Sequence, residues 1–202
     1  MEDAVIGAWV LHGLGWLSFG LGHSVFAAAS GRSLLLRLFG RGHRLAYNIL
    51  ALIHLGFVFW LGQETLGRPP LAFVAPPPVF WGLTVLALVG LAFGLWSLRY
   101  YDGGRLLGLR QLREPVVDED EGLRLDGPHR WLRHPLYTAA FLILWGRAVD
   151  PLGLSNALWG SLYLLVGTWL EERKLLGLYG DAYASYRRSV PAFIPWKGRR
   201  IS

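Results

Sequence analysis

The stretch GPHRWLRHPLYTAAF, residues 127–141, sets His129, Arg130, Arg133 and His134 directly against an apolar run. Charged groups are kept out of hydrocarbon unless a site or an interface requires them. The meaning of the stretch therefore depends on the solvent its apolar half sees. Proline pushes the preceding residue out of the helical region and itself suits a first helical turn. Arg133-His134-Pro135 thus marks the point where a polar loop turns into a helix. The first N–H groups of that helix lack partners within it and can meet the acceptor atoms of a ligand.

Outward from this point the apolar residues come in blocks. Of 202 residues 53% are hydrophobic, and residues 5–29, 45–61, 79–98, 136–149 and 154–170 are nearly free of charge. A bilayer needs about 17–25 apolar residues per helix. The fourth block is short, and HRWL before it (129–132) is expected to extend its helix through the interface. The reading is an all-α, polytopic integral membrane protein with five transmembrane helices. The last two form a hairpin, and amphipathic helices lie on the cytoplasmic side. One membrane domain would cover residues 1–202.

The basic residues supply the orientation. Segments 32–44, 99–133 and 173–200 hold 18 of the 20 Lys and Arg, leaving Arg68 and Arg147. With five spans all three segments fall on one side, which the positive-inside rule makes cytoplasmic. The N-terminus is then outside and the C-terminus inside, as in a prokaryotic inner membrane. The net charge of +6 is explained by the membrane rather than by nucleic acid. The acidic start MEDAVIGAW and the long first block do not fit a cleavable signal peptide. The chain has no Cys, which removes disulfides, thiolate nucleophiles and Cys-based metal sites.

The connections follow composition. Residues 62–78 and 147–156 are rich in Pro and Gly and read as outer loops. SGRSLLLRLFGRGHR (30–44) reads as an amphipathic surface helix, and the acid run Asp118–Glu121 as a solvated turn. After the fifth block, Leu175, Leu176, Leu178, Tyr179, Tyr183 and Tyr186 recur at helical spacing. The last span is therefore expected to continue as an amphipathic helix until Pro191 and Pro195 end it. The glycines of GLGWLSFGLG (13–22) have helix-packing spacing.

Two sets of residues could carry chemistry. Glu171 and Glu172 follow the fifth block immediately, and a hairpin brings them level with HRWLRHP. Arginines, histidines and a carboxylate pair would then converge beside apolar walls, the usual form of a small-molecule site. The second set is His23 and Ser24 in the first span, with Arg44, Tyr47 and Asn48 near the same level on the second. His12 and His23 are eleven residues apart on one helix, so they cannot ligate one heme together, and each would need a partner elsewhere, such as His54. Phosphate loops, dinucleotide fingerprints and nucleophile elbows are missing from the sequence.

At these residues the chain resembles the isoprenylcysteine carboxyl methyltransferase and phospholipid methyltransferase superfamily. GPHRWLRHPLY, the span pair, the E-E pair, and YGDAYASY with its proline-bounded end all match that pattern over about residues 122–196. His129 replaces the usual aromatic residue, and Thr138-Ala139 stands where a small residue or glycine is common. HSVFAA, HRLAYNILAL and YYDGGRLLGLRQL are similar to the methanethiol S-methyltransferase and NnrU-like branch.

The resemblance implies S-adenosylmethionine as cofactor, held by Arg133, His134, Leu136 and Tyr137 of the R-H-P-x-Y motif and by Glu171 and Glu172. It makes 1–98 the acceptor side and 99–202 the cofactor side. The implied acceptor is small or lipophilic and arrives from the membrane: a thiol first, an isoprenylcysteine carboxylate or a lipid amine next. A thiol reacts as thiolate, so a proton acceptor or anion stabiliser is needed. His23, Arg44 and Arg110 are the catalytic candidates, with Ser24, Tyr47, Asn48 and Gln111 positioning the acceptor. A non-enzymatic NnrU-like accessory protein and an NADPH-dependent sterol-type reductase are the competing readings.

Overall fold

The structure is a computed structural model that describes residues 2–68, 72–113 and 122–197. It is all-helical, with no strand among the described residues. The helices are α1 (Glu2–Ala27), α2 (Ala29–Phe39), α3 (His43–Thr65), α4 (Pro77–Leu98), α5 (Gly103–Leu107), α6 (Arg110–Arg113), α7 (Pro135–Gly146) and α8 (Pro151–Ser189). Short 3-10 turns occupy Gly40–Gly42 and Gly127–Arg130. Three stretches, Asp3–Ala27, Ala29–Thr65 and Pro77–Leu98, are long and apolar enough to cross a membrane, and α7 is a shorter apolar helix. Their outer faces expose Leu14, Leu17 and Leu21, then Leu52 and Ile53, then Trp81, Val85 and Leu88. Water would penalise so much contiguous apolar surface, whereas lipid does not.

The described residues pack as two units. One gathers Met1–Val74, Asp102–Asp118 and Asp150–Ser155; the other gathers Ala75–Tyr101, Glu119–Val149 and Asn156–Ser202.

In the first unit α1 lies along α3 through the glycines anticipated from the sequence. A Cβ on Gly15 would sit 3.1 Å from Leu61, and one on Gly22 would sit 3.4 Å from the His54 ring. His12 is fully buried, with Nδ1 2.8 Å from Ser155 Oγ. A Cβ on Gly62 would come within 2.6 Å of its Nε2. In the second unit α4 packs on α7 at backbone range. A Cβ on Gly146 would lie 2.4 Å from the Ala87 nitrogen, and one on Gly90 would lie 2.7 Å from Leu142 Cβ.

Several sequence expectations change in detail. HRWL does not extend the fourth apolar helix: His129 and Arg130 belong to a 3-10 turn, and α7 begins at Pro135. His134 sits at φ −124°, ψ 67°, outside the helical region as a pre-proline residue must be. The connections after α3 and after α7 are shorter than composition suggested, because α3 runs on to Thr65, α4 starts at Pro77 and α8 starts at Pro151. Asp150 makes that last start possible by accepting the Gly153 N–H at 2.7 Å. The segment after α4 holds two short helices, the first capped by Asp102 accepting from Arg105 N–H at 3.0 Å.

The long last helix exists, but it breaks at Gly180, where φ 50° and ψ −125° leave the helical region. An L side chain rarely adopts that backbone, whereas glycine pays no Cβ penalty there. The break lets Tyr183, Tyr186 and Val190 form a buried core against Leu123, Leu125, Leu175, Leu176 and Tyr179. The Asp118–Glu121 run lies outside the described residues.

The close α4–α7 crossing yields a first test. Gly146→Ala forces a methyl into the Ala87 backbone and is expected to destabilise the protein by about 1–3 kcal/mol, as overpacking does. A wild-type midpoint for thermal unfolding in lipid nanodiscs would contradict the packing.

Candidate active site

The loop-to-helix turn that opened the sequence reading and the carboxylate pair of α8 do meet. Glu172 is buried, its side chain 10% exposed, and Arg133 reaches it with Nε at 2.8 Å and Nη2 at 2.5 Å, both on Oε1. His134 Nε2 lies 3.3 Å from the same oxygen. Arg187 Nε approaches the other oxygen, Oε2, at 3.3 Å. Glu171, one residue earlier and about 100° around the helix, stays 44% exposed and lies 3.7 Å from His134 Nδ1. Tyr137 stacks on His134 with ring centroids 5.5 Å apart and planes 11° from parallel, and its hydroxyl hydrogen-bonds Glu171. The half-buried Leu136 completes this first turn of α7.

The turn is fastened from behind by the chain that follows α8. Arg133 N–H donates to Pro191 O at 2.9 Å and His134 N–H to Ala192 O at 3.1 Å. Arg133 Nη1 donates to the Val190 carbonyl at 2.5 Å, and Thr138 Oγ1 to the Phe193 carbonyl at 3.0 Å. Tyr186 OH donates to the His129 carbonyl at 2.7 Å. The prolines that end α8 therefore also lay its C-terminal strap across the R-H-P turn. Sequence reasoning missed this strap and missed Arg187, because neither follows from the periodicity of one helix. The signal in the sequence was Gly180, a glycine inside a run that otherwise keeps helical spacing.

Electrostatics separate the two carboxylates. Burial alone would raise the Glu172 carboxyl, but the hydrogen bonds and charge of Arg133, and then His134, outweigh it and hold it below the ordinary carboxylate value. Burial pushes the His134 imidazole below its usual 6.5, against the upward pull of Glu171 and Glu172 and with Arg133 adding to the fall. His134 is thus neutral near pH 7 and serves as a hydrogen-bonding group.

The first unit holds the other candidates. Tyr47 OH lies 2.7 Å from His23 Nε2. The two rings line a cavity of about 30 Å³ with Phe19, Gly22, Phe26, Leu50, Ala51 and His54. Arg44 is half-buried one helical turn before Tyr47 and Asn48, while Ser24 is exposed. Asn48 Nδ2 donates to Leu106 O at 3.0 Å, and buried Gln111 donates Nε2 to Arg105 O at 3.3 Å. Arg110 pairs with Asp102 at 2.7 Å. Asn48, Gln111 and Arg110 thus tie α5 and α6 down, while His23 and Tyr47 face a cavity. Groups of three or more His, Cys, Asp or Glu able to hold a metal are absent among the described residues.

Apolar helices of membrane length and a polar cluster where the last long helix leaves its apolar stretch define an integral membrane protein of the helical, polytopic kind. Its relatives are methyltransferases. The chain is 29% identical over 189 residues to methanethiol S-methyltransferase of Crocosphaera subtropica, covering 90% of this chain and 72% of that protein. It is 30% identical over 167 residues to methanethiol S-methyltransferase of Mycobacterium tuberculosis, covering 77% of this chain and 65% of that protein. Over 84 residues it is 34% identical to protein-S-isoprenylcysteine O-methyltransferase of Schizosaccharomyces pombe, covering 39% and 35% of the two chains. The superfamily resemblance read from R-H-P-x-Y and E-E is borne out by these names. No family model and no solved structure matches the chain.

The shifts at His134 and Glu172 fix a direction with pH. A His whose folded pKa is lowered, and a carboxyl whose folded pKa is lowered, both bind fewer protons folded than unfolded. Stability therefore falls on acidification, beginning near 6.5 for His134 and continuing below the ordinary carboxylate range for Glu172. The thermal midpoint should drop between pH 7 and pH 5, with a shallower drop in His134→Gln; equal slopes in the two proteins would refute the assignment.

Proposed function

We propose that this chain is a membrane-embedded methyltransferase that takes its methyl group from S-adenosylmethionine and transfers it to a small thiol. The observation that carries the reading is the convergence of Arg133, His134, Tyr137, Glu171 and Glu172, at motif positions that the sequence shares with a methyltransferase superfamily. The proposed arrangement has one membrane domain with five spans, N-terminus outside and C-terminus inside. Residues 1–98 serve the acceptor and 99–202 the donor.

The donor set fits the cofactor. Glu171 offers a part-exposed carboxylate beside a neutral His134–Tyr137 stack, which suits an ammonium group and ribose hydroxyls. The Leu136 and Tyr137 amides belong to a first helical turn, whose N–H groups have no partner within the helix. Glu172 is already met by two guanidinium groups, so its part is to hold Arg133 and His134 in place. Arg133 in turn anchors the C-terminal strap. Bound there, S-adenosylmethionine supplies an electrophilic methyl on a sulfonium. The chain's own contribution is alignment and exclusion of water, which can account for much of the rate of an in-line displacement.

On the acceptor side, His23 and Tyr47 line the cavity and, with Arg44 one helical turn before Tyr47, would supply the proton-accepting and anion-stabilising groups, while Ser24 follows His23 in the chain. Arg110, Asn48 and Gln111 keep α5 and α6 in position. A thiol acceptor is supported by relatives named methanethiol S-methyltransferase, while the fission-yeast relative's name keeps an isoprenylcysteine carboxylate as the second acceptor class.

Titration of the purified protein with S-adenosylmethionine and, separately, NADPH tests the reading. Binding of the first alone is expected. Glu171→Gln should weaken it on the order of ten- to a hundredfold, as the loss of a charged hydrogen bond worth about 1.5–3 kcal/mol does. Wild-type affinity in Glu171→Gln would remove the carboxylate from the site. For topology, a reporter fused to the C-terminus should be active in the cytoplasm, and activity only in the periplasm would reverse the orientation.

A further inference from the structure

We infer that the groove between the end of α4 and the turn that precedes α7 is a binding site for an anionic phospholipid. Its acyl chain lies against Phe93, Trp96 and Trp131, and its phosphate meets Arg99 and Arg130. The inference stands apart from the methyl-transfer reading and gives a part to side chains that reading leaves unused. All five residues belong to the second unit.

The argument starts from the walls. A part-open groove of about 370 Å³ is lined by Phe93 and Trp96 of α4, by Pro128, Trp131 and Leu132, and by Pro195 of the strap. Trp96 and Trp131 remain 41% and 44% exposed, and Ile194 and Trp196, on either side of Pro195, are both 70% exposed. Water would penalise so much apolar surface in one place. Its level explains it: α4 is long and apolar enough to cross a membrane, and Phe93 and Trp96 occupy its last two turns. The groove thus opens at a membrane boundary, where tryptophan is favoured. A lone tryptophan at that level merely touches lipid. Here three separate segments of the chain form a trough, and Trp96 is held in it by Tyr100, edge-on at 5.5 Å, and by Phe93 at 5.8 Å.

Charge then selects the occupant. Phe93, Trp96 and Arg99 recur three residues apart, so each is the next one's neighbour along one side of α4. At a rise of about 1.5 Å per residue, Arg99 stands about 9 Å beyond Phe93 along the axis. Arg130 directly precedes Trp131. Arg99 is exposed and Arg130 half-buried, and among the described residues neither makes an ion pair. Two uncompensated guanidinium groups therefore stand where the apolar trough ends. A ligand that satisfies both parts carries hydrocarbon at one end and an anion at the other. Guanidinium geometry matches phosphate oxygens, and basic residues just outside a span attract anionic lipids. A phosphatidylcholine headgroup brings its own cation to the two arginines, and a neutral alkyl ligand leaves both unmet.

The test uses the full-length protein in a non-ionic detergent, with thermal stabilisation as readout. The probes are dioctanoyl phosphatidylglycerol, dioctanoyl phosphatidylcholine, inorganic phosphate and 1-dodecanethiol. Phosphatidylglycerol is expected to bind at least tenfold more tightly than each of the others. Arg99→Gln, Trp96→Ala and Trp131→Ala should each weaken it at least tenfold; all three side chains are exposed, so the unliganded midpoint should hold. Trp81→Ala removes a tryptophan that is 65% exposed in the first turns of α4, away from the groove, and should leave the affinity at the wild-type value. Wild-type affinity in the three groove variants overturns the inference, as does an equal loss in Trp81→Ala, which would mean unspecific solvation by lipid. Equal binding of phosphatidylcholine or of 1-dodecanethiol removes the anionic headgroup from the site, and equal binding of inorganic phosphate removes the acyl chain.

Discussion

A buried carboxylate must be compensated or it unfolds its surroundings. Glu172 is that carboxylate here. Its two oxygens take Arg133 on one side and Arg187 on the other, with His134 sharing the first. Because Arg133 also donates to the Val190 carbonyl, the same guanidinium that neutralises Glu172 holds the chain leaving α8. Replacing any one of these groups leaves a charge or a carbonyl without its partner. The R-H-P turn and the strap are therefore held by this ion cluster together with the backbone hydrogen bonds from Arg133 and His134 to Pro191 and Ala192.

That dependence explains why adjacent glutamates differ so much. One turns into the cluster and is consumed in holding it, and the other remains part-exposed beside a ring stack. An interfacial location alone would have treated them alike. In the proposed site Glu172 would be the rigid support, and Glu171, bonded by Tyr137 and part-exposed, the carboxylate left to meet a ligand.

The polar groups of the first unit follow a different logic. His12 meets Ser155, His54 meets Ser18, and His23 meets Tyr47, so three of the four histidines on α1 and α3 have a hydroxyl partner, while His43 meets the Gly40 carbonyl. In hydrocarbon an unpaired polar group costs several kcal/mol, and pairing is what lets these side chains exist there.

Much of this was legible in the residues themselves. Apolar block lengths determined an all-helical membrane chain, because a bilayer sets helix length directly. His134-Pro135 fixed where α7 begins, since pre-proline sterics act through neighbouring residues alone. The spacing of R-H-P and E-E, with a short connection between their helices, foretold that the two motifs would meet. The rest needed the tertiary structure. Adjacent helical residues diverge by about 100°, and only packing decides which of Glu171 and Glu172 faces inward. The break at Gly180 and the strap over Arg133 and His134 come from contacts tens of residues apart, where local propensity is silent. The sequence offered His54 only as a partner for a metal or heme, whereas its hydrogen bond to Ser18 on another helix is made by packing. Local sterics and hydropathy are written residue by residue; the partner of a buried polar group is chosen by the fold.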